Sequence, residues 1–300
     1  MARLKLWIEA ARPRTLPLAL AGLIMGNLLA YNYETFSWPI FNFSILTAAL
    51  LQILSNYAND YGDFKNGADN ENRIGPKRAV QSGGITEKQM FKAILFFASL
   101  SLISGVWLLY LASETVNVLW LLVMLLFGLA SIGAAYKYTA SKNPYGYKGM
   151  GDIAVFLFFG LLAVLGSFFL QTNAFSPIVL LPACAFGLLS TAVLNLNNMR
   201  DIENDANSGK ITIAVRLGIK NAKNYHYTLI SIATISFLIF CFTEYAMWYQ
   251  FLFLIPLLLL YVHFTKVKKR STYAEFDPLL KELALSSALI AICISIAYIL

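Results

Sequence analysis

Residues 56–63 read Asn-Tyr-Ala-Asn-Asp-Tyr-Gly-Asp, and they follow directly on an apolar run of membrane-spanning length. Residues 197–205 read Asn-Asn-Met-Arg-Asp-Ile-Glu-Asn-Asp and follow a second such run. Both contain Asn-x-x-x-Asp, and this spacing puts the two side chains on one face of a helix. Carboxylates at the mouth of a membrane helix are costly unless a cation or a partner holds them. Two such faces that meet would form an oxygen-rich site for Mg²⁺, which suggests a phosphorylated substrate.

The composition is that of a membrane protein. Of the 300 residues, 58% are hydrophobic and only 13% are charged, whereas a soluble domain carries about 25% charged residues. We therefore expect an all-α integral membrane protein in which residues 1–300 form a single polytopic domain. The net charge of +7 could indicate a nucleic-acid-binding protein, but the distribution of the charge argues against that function.

The apolar pattern predicts nine membrane-spanning helices, each close to the ~20 residues that cross the hydrocarbon core. They are approximately 15–33, 39–58, 93–112, 115–135, 153–171, 175–195, 226–243, 247–265 and 282–300. All 23 Lys and Arg residues fall on one side of the predicted bundle, and the opposite connections carry only Glu34, Glu114 and Glu244. The positive-inside rule then places the N-terminus and both acidic segments on the cytoplasmic side and the C-terminus outside. The basic excess is a topology signal, so no nucleic-acid partner is predicted.

Basic residues accompany the acids in the same cytoplasmic connections. Carboxylates repel a diphosphate, so Mg²⁺ has to bridge the two, while Arg or Lys takes the remaining phosphate oxygens. Arg73 and Arg78 follow the first acidic segment, and Arg200 and Lys210 lie in or after the second. Asp152 opens the fifth predicted helix, where an acid is either a site residue or only a helix cap.

Several blocks of the chain resemble the UbiA superfamily of intramembrane prenyltransferases, and together they span nearly the whole sequence. The blocks are residues 7–17, residues 59–63 with Asp69, residues 78–84, residues 143–149 with 158–160, and residues 198–205 with Gly209, Lys210 and Thr212. The general superfamily pattern would put an Asp at position 67, whereas this chain has Gly67 and carries the acid at Asp69. The branch that resembles it in this respect is the MenA branch, the 1,4-dihydroxy-2-naphthoate polyprenyltransferases. This departure counts against a 4-hydroxybenzoate or haem O type of enzyme.

The resemblance implies a fold and a reaction. The fold is a nine-helix bundle around a central cavity, open to the cytoplasm and laterally to lipid, in a bacterial inner membrane. The reaction transfers a polyprenyl group from a polyprenyl diphosphate to 1,4-dihydroxy-2-naphthoate, with loss of CO₂, and gives demethylmenaquinol for menaquinone biosynthesis. The implied cofactor is a pair of Mg²⁺ ions, and the implied partners are the two substrates and membrane lipid.

The blocks and the charge pattern together give the candidate site residues. The candidate metal ligands are Asn59, Asp60, Asp63, Asp69, Asp201 and Asp205, among which Asp63, Asp69, Asp201 and Asp205 are the candidate catalytic residues. The candidate residues for binding the diphosphate or the acceptor are Asn56, Arg73, Arg78, Tyr138, Lys142, Tyr145, Asp152, Asn197, Asn198, Arg200 and Lys210.

Three other functions compete with this interpretation. A UbiA-type enzyme could act on another aromatic acceptor, such as 4-hydroxybenzoate. An ion-coupled transporter would carry acids near the middle of its helices, whereas here the acids lie at the cytoplasmic ends. A CDP-alcohol phosphotransferase would carry an Asp-Gly-x-x-Ala-Arg signature, which this chain lacks.

Overall fold

The computed structural model describes residues 2–71 and 73–300, which form helices and connecting turns with no β-strand among them. The α-helices are α1 (Ala2–Ala11), α2 (Leu16–Leu29), α3 (Trp38–Lys65), α4 (Glu87–Ala112), α5 (Val118–Lys137), α6 (Gly151–Val155), α7 (Ser167–Thr172), α8 (Leu180–Arg200), α9 (Ile202–Asn207), α10 (Ile213–Glu244), α11 (Leu258–Lys269) and α12 (Asp277–Ile299). A π-helical stretch, Phe156–Gly166, joins α6 to α7. Residues 151–172 therefore form one continuous helix.

Eight helices in the described residues are long and apolar enough to cross a membrane. They are Trp38–Lys65, Glu87–Ala112, Val118–Lys137, Gly151–Thr172, Pro177–Arg200, Ile213–Glu244, Trp248–Lys269 and Tyr273–Ile299. The first predicted span, 15–33, contains α2, which has only 14 residues. At 1.5 Å per residue α2 is about 21 Å long, shorter than a hydrocarbon core of about 30 Å. The prediction of an all-helical chain is confirmed for the described residues, and eight of the nine predicted spans coincide with helices that are long and apolar enough to cross a membrane.

Helix α8 is the most enclosed helix of the bundle, and it packs against α10, α12 and the 151–172 helix. Small residues permit the closest of these approaches, because a Cβ atom added to Gly160 would lie 2.5 Å from the Cα atom of Gly187. Small residues at such crossings are typical of helices that pack within membranes. The second acidic segment therefore starts from a rigid central helix.

Helices α3 and α4 pack together on the other side of the bundle. Helix α5 lies against this pair and has no buried residue. Its exposed side chains are large and apolar, as at Leu122 and Leu126. Such a face is suited to lipid, where an apolar surface carries no penalty. α5 thus forms an outer wall of the bundle.

The two acidic segments differ in backbone. α3 runs through the first segment to Lys65, so its Asn and Asp residues keep their helical spacing. α8 ends at Arg200, and α9 begins at Ile202. The break is small, because the Asp201 N–H donates to the Asn197 carbonyl at 3.1 Å and the Asp205 N–H donates to the Asp201 carbonyl at 2.8 Å. The one-turn spacing predicted for the second segment is therefore kept across the break.

Candidate active site

Each acidic segment is followed by a glycine turn that folds the chain back towards its helix. Gly67 and Gly209 have φ values of 77° and 75°, in the left-handed region that glycine adopts without steric cost. After the turn, the Asp69 N–H donates to the Asp63 carbonyl at 3.1 Å, and the Lys210 N–H donates to the Asp205 carbonyl at 2.8 Å. Gly67 therefore makes the turn that returns Asp69 to the end of α3, which gives a physical reason for glycine rather than aspartate at position 67.

The polar residues of the first segment point to different neighbours. Asn59 accepts a hydrogen bond from the Thr139 hydroxyl at 3.1 Å. Asp63 accepts one from the Tyr147 hydroxyl at 3.0 Å. Asp60 faces away from these two, and its Oδ2 atom accepts from the Ala79 N–H at 3.2 Å.

Asn56 lies one turn deeper on α3 than Asp60. It donates to the Ala11 carbonyl at 2.8 Å and to the Thr15 hydroxyl at 3.3 Å. The chain ahead of α2 is therefore bound to the same helix that carries the acids.

The second segment is held by Arg200, whose side chain is fully buried. Its guanidinium donates to both carboxylate oxygens of Asp201, at 2.9 and 2.6 Å, and to the Asn197 side chain at 2.9 Å. It also forms a short ion pair with Asp277 at the start of α12. Arg200 therefore fixes the position of Asp201 and has few donors left for a ligand.

Two basic side chains and one amide join the two segments. Lys210 Nζ lies 3.7 Å from Asp63 Oδ1 and 3.7 Å from Asp205 Oδ1. Arg73 Nε lies 3.1 Å from Asp69 Oδ1, and its Nη2 atom lies 3.6 Å from Asp201 Oδ2. The Asn204 amide in addition donates to the Ala68 carbonyl at 2.8 Å. Residues that are more than a hundred positions apart in the chain thus form one buried, charged cluster.

Several oxygens of this cluster lack a hydrogen-bond partner within the described residues. They are both carboxylate oxygens of Asp69, Oδ2 of Asp205, Oδ1 of Asn204 and Oδ1 of Asp60. Among them Asp69 Oδ1 has ion-pair contacts with Arg73 and Arg78 but accepts no hydrogen bond. A buried acceptor without a partner costs about 1–3 kcal/mol. Carboxylate and amide oxygens are the ligands that Mg²⁺ prefers, so the donor set fits a hard divalent cation. Across residues 2–71 and 73–300, no group of three or more His, Cys, Asp or Glu side chains is already arranged around a metal position, and basic side chains neutralise the acids instead.

Burial shifts the pKa values of these acids unequally. Burial raises the pKa of Asp69 and of Asp205 to about 6, and in each case nearby basic residues only partly offset it. Burial acts in the same direction on Asp201, but the hydrogen bonds and charge of Arg200 outweigh it, so the pKa of Asp201 is lowered. The charge of Asp201 is thus already balanced by Arg200. Asp69 and Asp205 are not fully balanced by the basic residues near them, so a further positive charge would stabilise their ionised forms.

A cavity of about 360 Å³ lies inside the bundle. None of the charged residues of the cluster lines it, but Asn59 does, and Asn59 lies one turn of α3 from Asp63. The polar end of the cavity includes Asn56, Asn59, Tyr138 and Tyr145, and its remaining wall is mostly apolar and comes from α2, α3, α4, α5 and the 151–172 helix. Tyr145 is fixed by a hydrogen bond from its hydroxyl to the Ala134 carbonyl at 3.1 Å. A ligand that fits this arrangement has a charged head, which lies at the cluster, and an apolar tail, which lies in the cavity.

Residues 16–281 match a family model described as the UbiA prenyltransferase family. The chain belongs to the UbiA prenyltransferase family. The resemblance inferred from the sequence blocks is confirmed, and the protein is an enzyme of this family. Because eight helices of the described residues are long and apolar enough to cross a membrane, this prenyltransferase is a multi-pass membrane protein.

Curated relatives cover almost the whole prenyltransferase. The chain is 42% identical over 300 residues to the 1,4-dihydroxy-2-naphthoate octaprenyltransferase of Haemophilus influenzae, which covers 99% of this chain and 97% of the relative. It is 44% identical over 280 residues to the enzyme of the same name from Escherichia coli, which covers 93% of this chain and 88% of that one. A solved structure of a UbiA homolog from Archaeoglobus fulgidus, bound to GPP and Mg²⁺, aligns with a TM-score of 0.65 at 18% identity, covering 96% of this chain and 99% of that one. This last likeness shows the fold.

Some candidate residues of the prenyltransferase lie outside the charged cluster. Lys142 is exposed and forms no ion pair within the part of the chain that the structure describes. Asp152 is buried and accepts a hydrogen bond from the Tyr225 hydroxyl at 3.0 Å, which ties α6 to α10. Arg78 is at the edge of the cluster, with its Nε atom 3.7 Å from Asp69 Oδ1. Asn198 is buried at the end of α8.

Three residues of the cluster were not among the sequence candidates. Tyr147 contacts Asp63. It lies within the block 143–149, two residues after the candidate Tyr145, and its place in the sequence was therefore a reason to include it. Asn204 lies inside the second acidic segment and could have been included on the same basis. Asp277 reaches Arg200 from the start of the last helix, and no pattern in the sequence links the two.

Proposed function

We propose that this prenyltransferase transfers a polyprenyl group from a polyprenyl diphosphate to 1,4-dihydroxy-2-naphthoate, in a Mg²⁺-dependent reaction that releases CO₂ and gives demethylmenaquinol. The observation that carries the proposal is the pair of relatives that are 42% and 44% identical over nearly the whole chain. The charged cluster at one end of an apolar cavity supports the choice of an amphiphilic diphosphate as donor.

The diphosphate of the donor binds at the charged cluster in this proposal. Asp63, Asp69 and Asp205 are the main ligands for two Mg²⁺ ions, with Asn59 and Asp201 as further oxygen ligands. Asp60, a candidate ligand from the sequence, faces Ala79 and is left out of this set. The unpartnered oxygens of Asp69 and Asp205 support this assignment. Mg²⁺, when bound, neutralises charge that develops on the departing diphosphate. Lys210, Arg73 and Arg78 then bind diphosphate oxygens, because they already lie among the acids.

The prenyl chain occupies the apolar cavity, with the reacting carbon near Asn59, Tyr138 and Tyr145. The allylic C–O bond breaks, and its electron pair leaves with the diphosphate. A wall that excludes water protects the resulting cation. An electron-rich ring carbon forms the new C–C bond, and the ring carboxylate leaves as CO₂ and returns its bonding pair to the ring, so the charges balance.

The orientation in the membrane follows the charge pattern. All 23 Lys and Arg residues lie in or near connections on one predicted side, so we place the N-terminus and the charged cluster at the cytoplasm and the C-terminus outside. This orientation requires nine spans. Eight are the long apolar helices, and the additional one, first in chain order, is α2 with the turn before it. A reporter fused after Leu300 that reads as cytoplasmic would contradict the nine-span count.

The decisive experiment uses purified protein in lipid nanodiscs with Mg²⁺ and octaprenyl diphosphate. The acceptors are 1,4-dihydroxy-2-naphthoate and 4-hydroxybenzoate in parallel, and mass spectrometry identifies the products. We expect prenylated, decarboxylated product from the naphthoate alone and none in the presence of EDTA. Product from 4-hydroxybenzoate alone would replace the proposed acceptor, and undiminished turnover in EDTA would contradict the role of Mg²⁺.

A further inference from the structure

Three glycines line the cavity. Gly166 lies in the 151–172 helix, and a Cβ atom built there would meet the Leu162 side chain at 3.4 Å, whereas Gly105 on α4 and Gly128 on α5 have more room. A Cβ atom built on Gly105 would meet only the Thr47 side chain, at an ordinary contact distance of 3.7 Å, and one built on Gly128 would meet no atom within 4 Å. Both glycines lie inside regular helices, where glycine is disfavoured relative to other residues. Neither backbone conformation nor helix packing requires glycine here, so what these two positions provide is space.

Other glycines of the bundle serve packing instead. A Cβ atom on Gly26 would lie 2.2 Å from the Val164 carbonyl oxygen, and one on Gly62 would lie 2.4 Å from the Thr139 backbone. At those positions a side chain would push two backbones apart. The contrast separates glycines that allow close packing from the two that leave the cavity wide.

Gly105 and Gly128 both lie far from the charged cluster. Thr47, beside Gly105, precedes Asn59 by twelve residues on α3, which is about 18 Å along the helix axis. Tyr138 lies at the polar end of the cavity and follows Gly128 by ten residues. Ten residues correspond to about 15 Å of helix. The glycines therefore widen the deep part of the cavity, away from the reacting end of a bound donor.

The cavity is too small to enclose a long polyprenyl chain. Its volume of about 360 Å³ is at the low end of the range of about 300–1,000 Å³ that holds a drug-sized ligand. Val106 and Phe127, the chain neighbours of Gly105 and Gly128, also line the cavity and are about half exposed. We infer that the far end of a long chain leaves towards lipid through this part of the wall.

We propose that Gly105 and Gly128 determine donor specificity, because their missing side chains keep the deep part of the cavity open to the distal units of a long prenyl chain. The proposal rests on the proposed function in one respect, since it takes the cavity to be the site of the prenyl chain. A side chain at either position fills that space without touching the charged cluster. Short donors, which end before this depth, are then accepted as before.

The test compares Gly128→Leu and Gly105→Leu with Gly133→Leu. Gly133 is a matched control, because it lies on α5, has no atom within 4 Å of a built Cβ atom, and does not line the cavity. The donors are geranyl, geranylgeranyl and octaprenyl diphosphate, with 1,4-dihydroxy-2-naphthoate as acceptor in nanodiscs. We expect Gly133→Leu to match the wild type with every donor. Since one extra or missing methylene in an apolar pocket can change kcat/KM by roughly 10- to 200-fold, Gly128→Leu and Gly105→Leu should lose about 10-fold or more with octaprenyl diphosphate and almost nothing with geranyl diphosphate.

Two outcomes would overturn the proposal. One is an unchanged preference among the three donors in both cavity variants, and the other is an equal loss with all donors, which would indicate a general defect. Gly128→Ala adds a graded step, because its single methyl group fills less of the space than Leu and should cause a smaller loss, again only with the longest donor. Direct binding of each donor is measured in the same samples. If the wild type forms no product from any donor, the proposed function fails, and the relative affinities of the variants for geranyl and octaprenyl diphosphate still decide the role of the two glycines.

Discussion

The two acidic segments have the same arrangement up to their glycine turns. They differ in the charge of the residue that each turn brings back towards its helix. After Gly67 the chain brings back Asp69, and both of its carboxylate oxygens are buried without a hydrogen-bond partner in the described residues. After Gly209 the chain brings back Lys210, which lies 3.7 Å from both Asp63 and Asp205. The same backbone turn therefore adds an acid on one side and a base on the other.

This difference separates two tasks within one site. The second segment is partly neutralised by its own bases, because Arg200 pairs with Asp201 and Lys210 lies 3.7 Å from Asp205. The first segment relies on arginines from the following loop, Arg73 and Arg78, and neither carboxylate oxygen of Asp69 accepts a hydrogen bond within the described residues, whereas only one oxygen of Asp205 is buried without one. We infer that the first segment carries the stronger demand for a metal ion and that the second supplies the closer base for a diphosphate.

The largest expected effect is the loss of one carboxylate from either segment. Asp63→Ala and Asp205→Ala should each lower kcat by about 10²–10³, the range found when one group that stabilises developing charge is removed. The measurement is product formation in nanodiscs at saturating Mg²⁺. Glu203→Ala is the matched control, because Glu203 lies in the second segment but is exposed. Similar losses in Glu203→Ala and Asp205→Ala would mean that bulk charge matters and the buried cluster does not.

Much of the helical framework and both acidic segments could be predicted, because they depend on residues that are close together in the sequence. Apolar runs fix the spans, and Asn59 and Asp63 keep their one-turn spacing because α3 continues to Lys65. The cross-links between segments could not be predicted. Asp277 meets Arg200 only through the packing of α12 against α8, and the exposure of Lys142 depends on how its loop folds. Charge alone does not distinguish a base in the cluster from a base in solvent.

An intermediate effect should distinguish Lys210 from Lys142, both of which were candidates from sequence. A charge-assisted hydrogen bond contributes about 1.5–3 kcal/mol, so Lys210→Met should reduce kcat/KM for the diphosphate roughly 10- to 100-fold. Lys142→Met should have little effect, because Lys142 is exposed and unpaired among the described residues. Steady-state kinetics with varied donor at fixed Mg²⁺ provide the measurement. A loss in Lys142→Met as large as that in Lys210→Met would show that Lys142 moves into the site when substrate binds.

The smallest expected effect concerns the two turns themselves. A residue other than glycine in the left-handed region costs about 1–2 kcal/mol, so Gly67→Ala and Gly209→Ala should each lower stability by about that amount. Asn visits this region more readily than Ala, so Gly67→Asn should cost less. Neither turn has an atom within 4 Å of a built Cβ atom, so any loss reflects backbone conformation and not a steric clash. Gly133→Ala is the control with open space but helical geometry, where replacing glycine should stabilise by up to about 1 kcal/mol.

The turns also offer the sharpest test of the difference between the segments. Strain at Gly67 displaces Asp69, so Gly67→Ala should raise the Mg²⁺ concentration needed for half-maximal activity while leaving KM for the donor nearly unchanged. Strain at Gly209 displaces Lys210, so Gly209→Ala should raise KM for the donor with little change in the Mg²⁺ requirement. Thermal unfolding in detergent gives the stability change, and titrations of Mg²⁺ and of donor give the two kinetic responses. If both variants shift the same parameter by the same factor, the acid and the base returned by the two turns act as one unit, and the division of tasks between the segments is wrong.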